Sequence, residues 1–241
     1  MILVKNRLYV AQEMDYANLE QFGPSLVCLD AISGKLLWEK RLDYLSLIDP
    51  AHRQQVKELW LKERKYLATA FGLLEEVENL PDTSKDRIIA IYKQLNEMGL
   101  VAKASDTGKF PEDGSKYNAS DEGRALSWPK QILQIQKQTQ PHGLWWPMWS
   151  EPNYAGSGKF TGDVMATPCS DGESIFLRTG HQVLACFDLD GNLKWMKQFS
   201  KQNGYVSHCN SPVVVGDVVA VQAMSGGRGS DKVAIRGFDK K

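Results

Sequence analysis

The feature that most constrains this chain is a repeat. Leu29-Asp30-Ala31-Ile32-Ser33-Gly34-Lys35-Leu36-Leu37-Trp38 recurs, one residue shorter, as Phe187-Asp188-Leu189-Asp190-Gly191-Asn192-Leu193-Lys194-Trp195. A third copy opens at Phe238-Asp239-Lys240-Lys241. Each complete copy is an apolar-Asp step, a polar turn with Gly and an alternating run into Trp, the signature of two antiparallel strands joined by a tight turn. A single small sheet of this kind cannot bury both its faces, so it needs neighbours built the same way.

The first unit covers residues 1–43. Ile2-Leu3-Val4-Lys5-Asn6-Arg7-Leu8-Tyr9-Val10 reads as strand, Asn-Arg turn and strand; Ser25-Leu26-Val27-Cys28-Leu29 and Leu36-Leu37-Trp38-Glu39-Lys40 flank the Ser33-Gly34 turn. The second unit opens at Ala166-Thr167-Pro168-Cys169, makes an Asp171-Gly172 turn, and runs through Val183-Leu184-Ala185-Cys186 to Phe199. The third repeats the opening as Asn210-Ser211-Pro212-Val213 and reaches Phe238-Asp239. From Asp188 to Asp239 is 51 positions, within the span of a four-stranded repeat unit.

Between the first two units, over residues 44–140, the apolar period changes from two to three and four. Asp49-Pro50 is a helix opening, with Asp as N-cap and Pro at the first helical position. Val56, Leu59, Trp60, Leu67, Ala70, Phe71, Leu74 and Val77 form one stripe, interrupted by Glu63 and Arg64, and Pro81 ends it. A second helix is expected from Asp82 or Thr83, with Ile88, Ile91, Tyr92, Leu95 and Met98 on one side and Gly99 as its stop. The pair reads as a helical hairpin whose stripes serve either as core or as a docking surface for another protein. Residues 105–123 read as a loop whose composition suits mobility, and residues 125–137 as a short helix.

Composition narrows function by exclusion. Lys+Arg and Asp+Glu are equal at 29 each, so no basic field favours nucleic acid. No window approaches the length of apolar chain that spans a bilayer. No secretory leader precedes the first strand, which leaves a cytoplasmic chain or an N-terminus further upstream, and the repeat register favours the second. No Gly-x-Ser-x-Gly stands in the chain to support hydrolysis, and no CxxC or His/Cys spacing supports zinc. His52 and His142 have no partner at informative spacing. Ser225-Gly226-Gly227-Arg228-Gly229-Ser230 lacks the Lys and the following helix of a phosphate loop and reads as a hairpin loop. In Pro141-His142-Gly143-Leu144-Trp145-Trp146-Pro147-Met148-Trp149 the three Trp form either an aromatic plug or a stacking wall for a flat or sugar-like ligand.

These units resemble those of the pyrroloquinoline-quinone-type (quinoprotein-like) β-propellers, whose blades read apolar-Asp-x-x-[Thr/Ser]-Gly-Lys-x-x-Trp. Residues 31–38 follow that pattern closely and residues 190–195 in shortened form; the resemblance covers 1–43 and 160–241 and leaves out the helical insertion. It implies a mainly β fold: a partial propeller of four-stranded blades, with the helical insertion at 44–140 and one complete and one truncated blade over 141–241. In such blades the Trp docks on the neighbouring blade and the Gly makes the turn, which assigns Asp30, Gly34, Trp38, Asp188, Gly191 and Trp195 to structure. The segment that enters each innermost strand faces the central channel, which nominates Asp163, Thr167, His208 and Asn210, with Cys209 between the last two, as ligand-binding candidates, and no catalytic or metal residue is assigned. Cys169 and Cys209 can bridge only if their blades are neighbours, and His181 reads as an exposed turn residue.

Two classes of function follow from the resemblance. One is a cofactor-free propeller scaffold in the cell envelope, periplasmic or otherwise extracytoplasmic, that binds protein or polymer. The other is a quinoprotein alcohol or sugar dehydrogenase with pyrroloquinoline quinone and calcium in the channel. Rings of this family hold about seven or eight blades, so the remaining blades come from a longer chain or a second chain. Quinoprotein dehydrogenases commonly carry a vicinal cysteine pair, and this chain has none.

Overall fold

The computed structural model describes residues 1–12, 18–102, 109–117, 126–127, 129–142, 166–179, 182–199, 210–225 and 232–241. Among them the fold is mainly β, with several antiparallel sheets and three α-helices. Contacts divide the chain into a unit that gathers 1–57 and the described residues from 166 onward, and a second unit that takes in 58–139.

In the first unit three sheets follow one another. Sheet A is β1 (Ile2–Val4), β2 (Arg7–Gln12), β3 (Ser25–Asp30) and β4 (Leu36–Arg41), in chain order. Its first turn is Lys5-Asn6, with Lys5 in the left-handed region, so Arg7 belongs to the strand and not to the turn expected from sequence. Sheet C is β7 (Cys169–Ser170), β8 (Ser174–Thr179), β9 (Val183–Asp188) and β10 (Leu193–Gln198), again in sequential order. Sheet D has three strands, β11 (Val213–Val215), β12 (Val218–Ser225) and β13 (Lys232–Asp239). The first strand of A adjoins that of C, and the first strand of C adjoins that of D.

Sheets A and C share their irregularities as well as their order. Trp38 stands opposite Cys28 and Leu36 opposite Leu29, which leaves Leu37 as an extra residue. Trp195 stands opposite Cys186 and Leu193 opposite Phe187, which leaves Lys194 in the same position. A bulge of this kind re-aims the residue that follows it, and here that residue is the repeat Trp in both sheets. Phe176, Leu184, Cys186, Phe199, Val219, Val221 and Ala223 form one buried cluster joining C to D.

The second unit is helical. α1 (Pro50–Asn79) starts as the sequence reads: the Asp49 carboxylate accepts the Ala51 amide at 2.9 Å. α2 (Lys85–Glu97) starts two to three residues later than expected, with Ser84 in the cap position. It closes in a Schellman arrangement, Gly99 N–H to Asn96 C=O at 2.9 Å and Leu100 N–H to Leu95 C=O at 3.0 Å, with Gly99 at φ +80. Arg87, in the first turn of α2, pairs with Glu76 near the end of α1 at 2.7 Å, as a helical hairpin requires. α3 (Lys130–Thr139) is shorter than the stretch read from sequence, because Leu126–Ser127 (β6) pairs instead with Val101–Ala102 (β5).

Residues 109–117, part of the expected loop, are pinned to α2. Phe110 is buried and stacks on Tyr92 at 4.7 Å, and the Tyr92 hydroxyl accepts the Tyr117 amide at 2.6 Å and donates to the Ser115 carbonyl at 3.3 Å. Glu63 falls three residues after Trp60 and four before Leu67, so the helical period carries it onto the buried face; it is 2 % exposed and accepts a 2.9 Å hydrogen bond from the equally buried Gln136 of α3. Burial raises its carboxyl to about 7, against the opposing pull of that hydrogen bond.

The folded-state value thus lies above the unfolded one of about 4.5. Such an acid favours folding most when it is protonated in both states, and its favourable contribution is lost as pH rises through the folded value. The α1–α3 pairing should therefore weaken between about pH 5 and about pH 8 by an amount on the order of 3 kcal/mol. Glu63→Gln should abolish that dependence and stabilise the helices at the alkaline end. Amide exchange of α3 measured at both pH values checks this, and an unchanged pH slope in the variant would contradict it.

Candidate functional site

The repeat residues converge on the seams between sheets. At each turn the repeat Asp first organises its own hairpin. Asp30 Oδ1 accepts the amides of Ile32 and Ser33 at 3.2 and 2.7 Å and the Ser33 hydroxyl at 2.7 Å, and the Ser33 bonds hold its carboxyl below the ordinary range. Asp188 does the same one residue shorter, accepting the amides of Asp190 and Asn192 at 2.9 and 2.8 Å and the Asn192 side chain at 2.8 Å. Burial works against ionisation of Asp188, but these bonds outweigh it and its carboxyl stays low. Asp239 accepts the Lys241 amide at 2.9 Å, so the third copy begins the same turn.

The turn of one sheet then meets the Trp of the sheet before it. A Cβ placed on Gly191 would lie 3.1 Å from Cδ2 and Cε2 of Trp38 and 2.9 Å from Cγ of Lys40. The Trp38 indole therefore rests directly on the Gly191 backbone, across the seam from A to C. Beside it the Arg7 guanidinium reaches the Leu189 carbonyl and the Asp190 carboxylate, both at 2.7 Å, and the Tyr9 hydroxyl donates to the same carbonyl at 3.0 Å. Burial pushes the Tyr9 hydroxyl up, which keeps it a donor.

At the next seam the pattern recurs. Trp195 Nε1 donates to the Lys240 carbonyl at 3.5 Å, in the opening turn of the third copy. The Lys240 ammonium pairs with Asp171 at 3.3 Å and Asp217 at 3.6 Å. Trp195 also packs against the buried cluster between C and D. Trp38 and Trp195 thus play one role twice, each on the turn of the sheet that follows.

Of the residues nominated for a channel mouth, Asp163 and His208 lie outside the described residues, as do Cys209, His181, the Trp145–Trp149 cluster and residues 226–230. Thr167 and Asn210 are described and stand just ahead of β7 and β11, the adjoining first strands. The Thr167 amide donates to the Ser211 hydroxyl at 3.0 Å, and the Asn210 carbonyl accepts the Arg178 guanidinium at 2.7 Å. Arg178 is fully buried, with its guanidinium 5.6 Å from the centre of the Phe199 ring. A calcium ion with a quinone needs several converging oxygen donors. Among the described residues no three His, Cys, Asp or Glu side chains gather, and two of the four nominated residues, Asp163 and His208, lie outside them.

Cys28, Cys169 and Cys186 are free thiols, and burial raises all three, Cys169 to about 12; they are kept protonated and unreactive. Sequence reasoning missed Arg7, Tyr9, Arg178 and Lys240, whose partners lie in other sheets. It also found no partner for His52 or His142, whose rings lie 5.0 Å apart.

The seam's physics is testable in its two glycines. Gly34 and Gly191 are both left-handed, at φ +70 and +84; nothing lies within 4 Å of a Cβ on Gly34, whereas one on Gly191 meets Trp38. Gly34→Ala should lose only the conformational term, about 1–2 kcal/mol, and Gly191→Ala clearly more. In a Trp38→Ala background the difference between the two should disappear. Urea denaturation of the four variants checks this, and an undiminished difference would mean that the ring does not dock there.

The sequence of residues 154–237 matches the family described as outer membrane protein assembly factor BamB. The matched stretch takes in sheet C and all but the last two residues of sheet D, and this part of the chain carries the PQQ-like repeat. No curated protein matches the chain.

Proposed function

We propose that the chain is a module of a PQQ-like β-propeller that works as a binding scaffold without catalysis. The observation that carries this reading is the repeated docking of Trp38 on the Gly191 turn and of Trp195 on the Lys240 turn. It is joined by first strands that adjoin from A to C to D, as blades do around a common axis. The family matched by residues 154–237 is named for outer membrane assembly, which supports an extracytoplasmic setting and a protein partner. No described helix is long and apolar enough to cross a membrane.

The chemistry of the seams favours a scaffold over a dehydrogenase. The Asp residues of the repeat are consumed by their own turns, the thiols of Cys28 and Cys186 are buried, and the backbones of Thr167 and Asn210 serve hydrogen bonds between C and D. Among the described residues this leaves the surface for function: hairpin loops and the helical unit.

A calorimetric melt with and without pyrroloquinoline quinone plus calcium separates the two readings, since a ligand specific to the folded state must raise the midpoint. The scaffold reading expects a cooperative transition that the additives leave unmoved. A rise of several degrees that grows with quinone concentration would overturn it in favour of the quinoprotein.

A further inference from the structure

Four histidines stand in the chain, and two of them meet. His52 and His142 are 90 positions apart in sequence, yet their rings lie 5.0 Å centre to centre, tilted by 45°. His52 is in the first turn of α1, and its amide donates to the Asp49 carbonyl at 2.9 Å. His142 ends a short 3-10 turn, Gln140–His142, directly after α3. Both belong to the first unit: one stands just before the chain leaves it for the helices, the other where the chain first re-enters it.

As a packing contact the pair achieves little. His52 is exposed and His142 half-buried, so little apolar surface leaves water, while fixing two side chains costs conformational entropy. As a pair of ligands, the separation has a definite meaning. Zinc and its neighbours hold an imidazole nitrogen at about 2.0–2.1 Å, which puts the ring centre about 3.2 Å from the ion. Two such rings, at an angle between square and tetrahedral, have centres about 4.5–5.2 Å apart. The observed 5.0 Å falls inside that window, and the tilt is unconstrained because each ring turns about its own metal–nitrogen bond. An imidazole that hydrogen-bonds through one nitrogen still offers the other, as metal-bound histidines ordinarily do. Among the described residues no third His, Cys, Asp or Glu side chain joins them, so these residues supply two donors and leave the other positions open.

We propose that His52 and His142 form a two-imidazole site for a late first-row divalent ion, copper, nickel or zinc, the metals that imidazole suits. The bound ion ties the start of α1 to the turn that follows α3 and so closes the helical excursion at its base. An ion that bridges the two rings only in the folded chain stabilises that closure by mass action. The site is independent of whether the sheets are blades.

The test uses the full chain and nickel(II) chloride, which does not oxidise free thiols as copper does, in a buffer without chelators. Calorimetric titration should give one ion per chain, and the paramagnetic ion should broaden the ring proton signals of His52 and His142 together while those of His181 and His208 stay sharp. Loss of an outer-shell partner already costs a metal site about 10–100-fold in affinity, so His52→Ala and His142→Ala should each weaken nickel by at least about tenfold. A calcium excess should leave binding unmoved, because calcium takes oxygen ligands. Binding that survives either substitution, displacement by calcium, or broadening that begins at His181 or His208 would overturn the site. So would the absence of broadening at millimolar nickel, which would leave the rings as a packing contact. The broadening is read on the unaltered chain, so a variant that failed to fold would not shield the proposal.

Discussion

The structure of the first unit depends on one contact, an indole laid on a glycine backbone. Trp38 can approach the Gly191 turn only because that residue lacks a Cβ, and the turn can hold its shape only because Asp188 ties down its amides. The order of dependence runs from carboxylate to turn, from turn to bare backbone, and from backbone to ring. Apolar area buried in this way is worth about 25 cal/mol per Å², so a large ring that leaves water on docking supplies a substantial part of the seam. The bulges at Leu37 and Lys194 belong to the same device, since each sets the facing of the Trp that follows.

Polar contacts give the seams their direction. From A to C the donors are on A, Arg7 and Tyr9, and the acceptors are on the turn of C. From C to D the Trp195 donor is again on the earlier sheet and its acceptor again on the later turn. An interface in which unlike surfaces meet in a fixed order repeats without end or closes into a ring. Among the described residues β13 pairs with β12 alone, and Ile235 and Val215 are exposed.

The local half of this was legible in the sequence and the distant half was not. Asp30, Gly34, Trp38 and their later copies stand out because a hairpin is written in consecutive residues, and the Asp49-Pro50 start and Gly99 stop of the helices stand out for the same reason. Arg7 and Asp190 are 183 residues apart, and no periodicity points from one to the other. Glu63 was legible as an interruption of a stripe, but its burial follows from α3 supplying Gln136, a contact 73 residues away. Residues 109–117 form no helix or strand, as a loop reading expects, but the anchoring of Phe110 was not legible, because a Gly- and Ser-rich composition describes the backbone and not the one aromatic that ties it down.

The position of the helical unit shows why so large an excursion is compatible with the seam. The chain leaves the first unit after Lys57 and is back in it ahead of β7, within the connection between the last strand of one sheet and the first strand of the next. No ladder is interrupted there, so the only cost is that of closing a longer loop. That cost grows with the logarithm of length, about 0.6 kcal/mol per doubling. Expanding a connection of ordinary size to the one between Arg41 and Cys169 is roughly four doublings, or about 2–3 kcal/mol. The three hydrogen bonds from Arg7 and Tyr9, at about 1 kcal/mol each net, are already of that size before the burial of Trp38 is added. The helices thus leave the Trp38 seam intact, and a repeat of local hairpins can carry an insertion longer than its own unit.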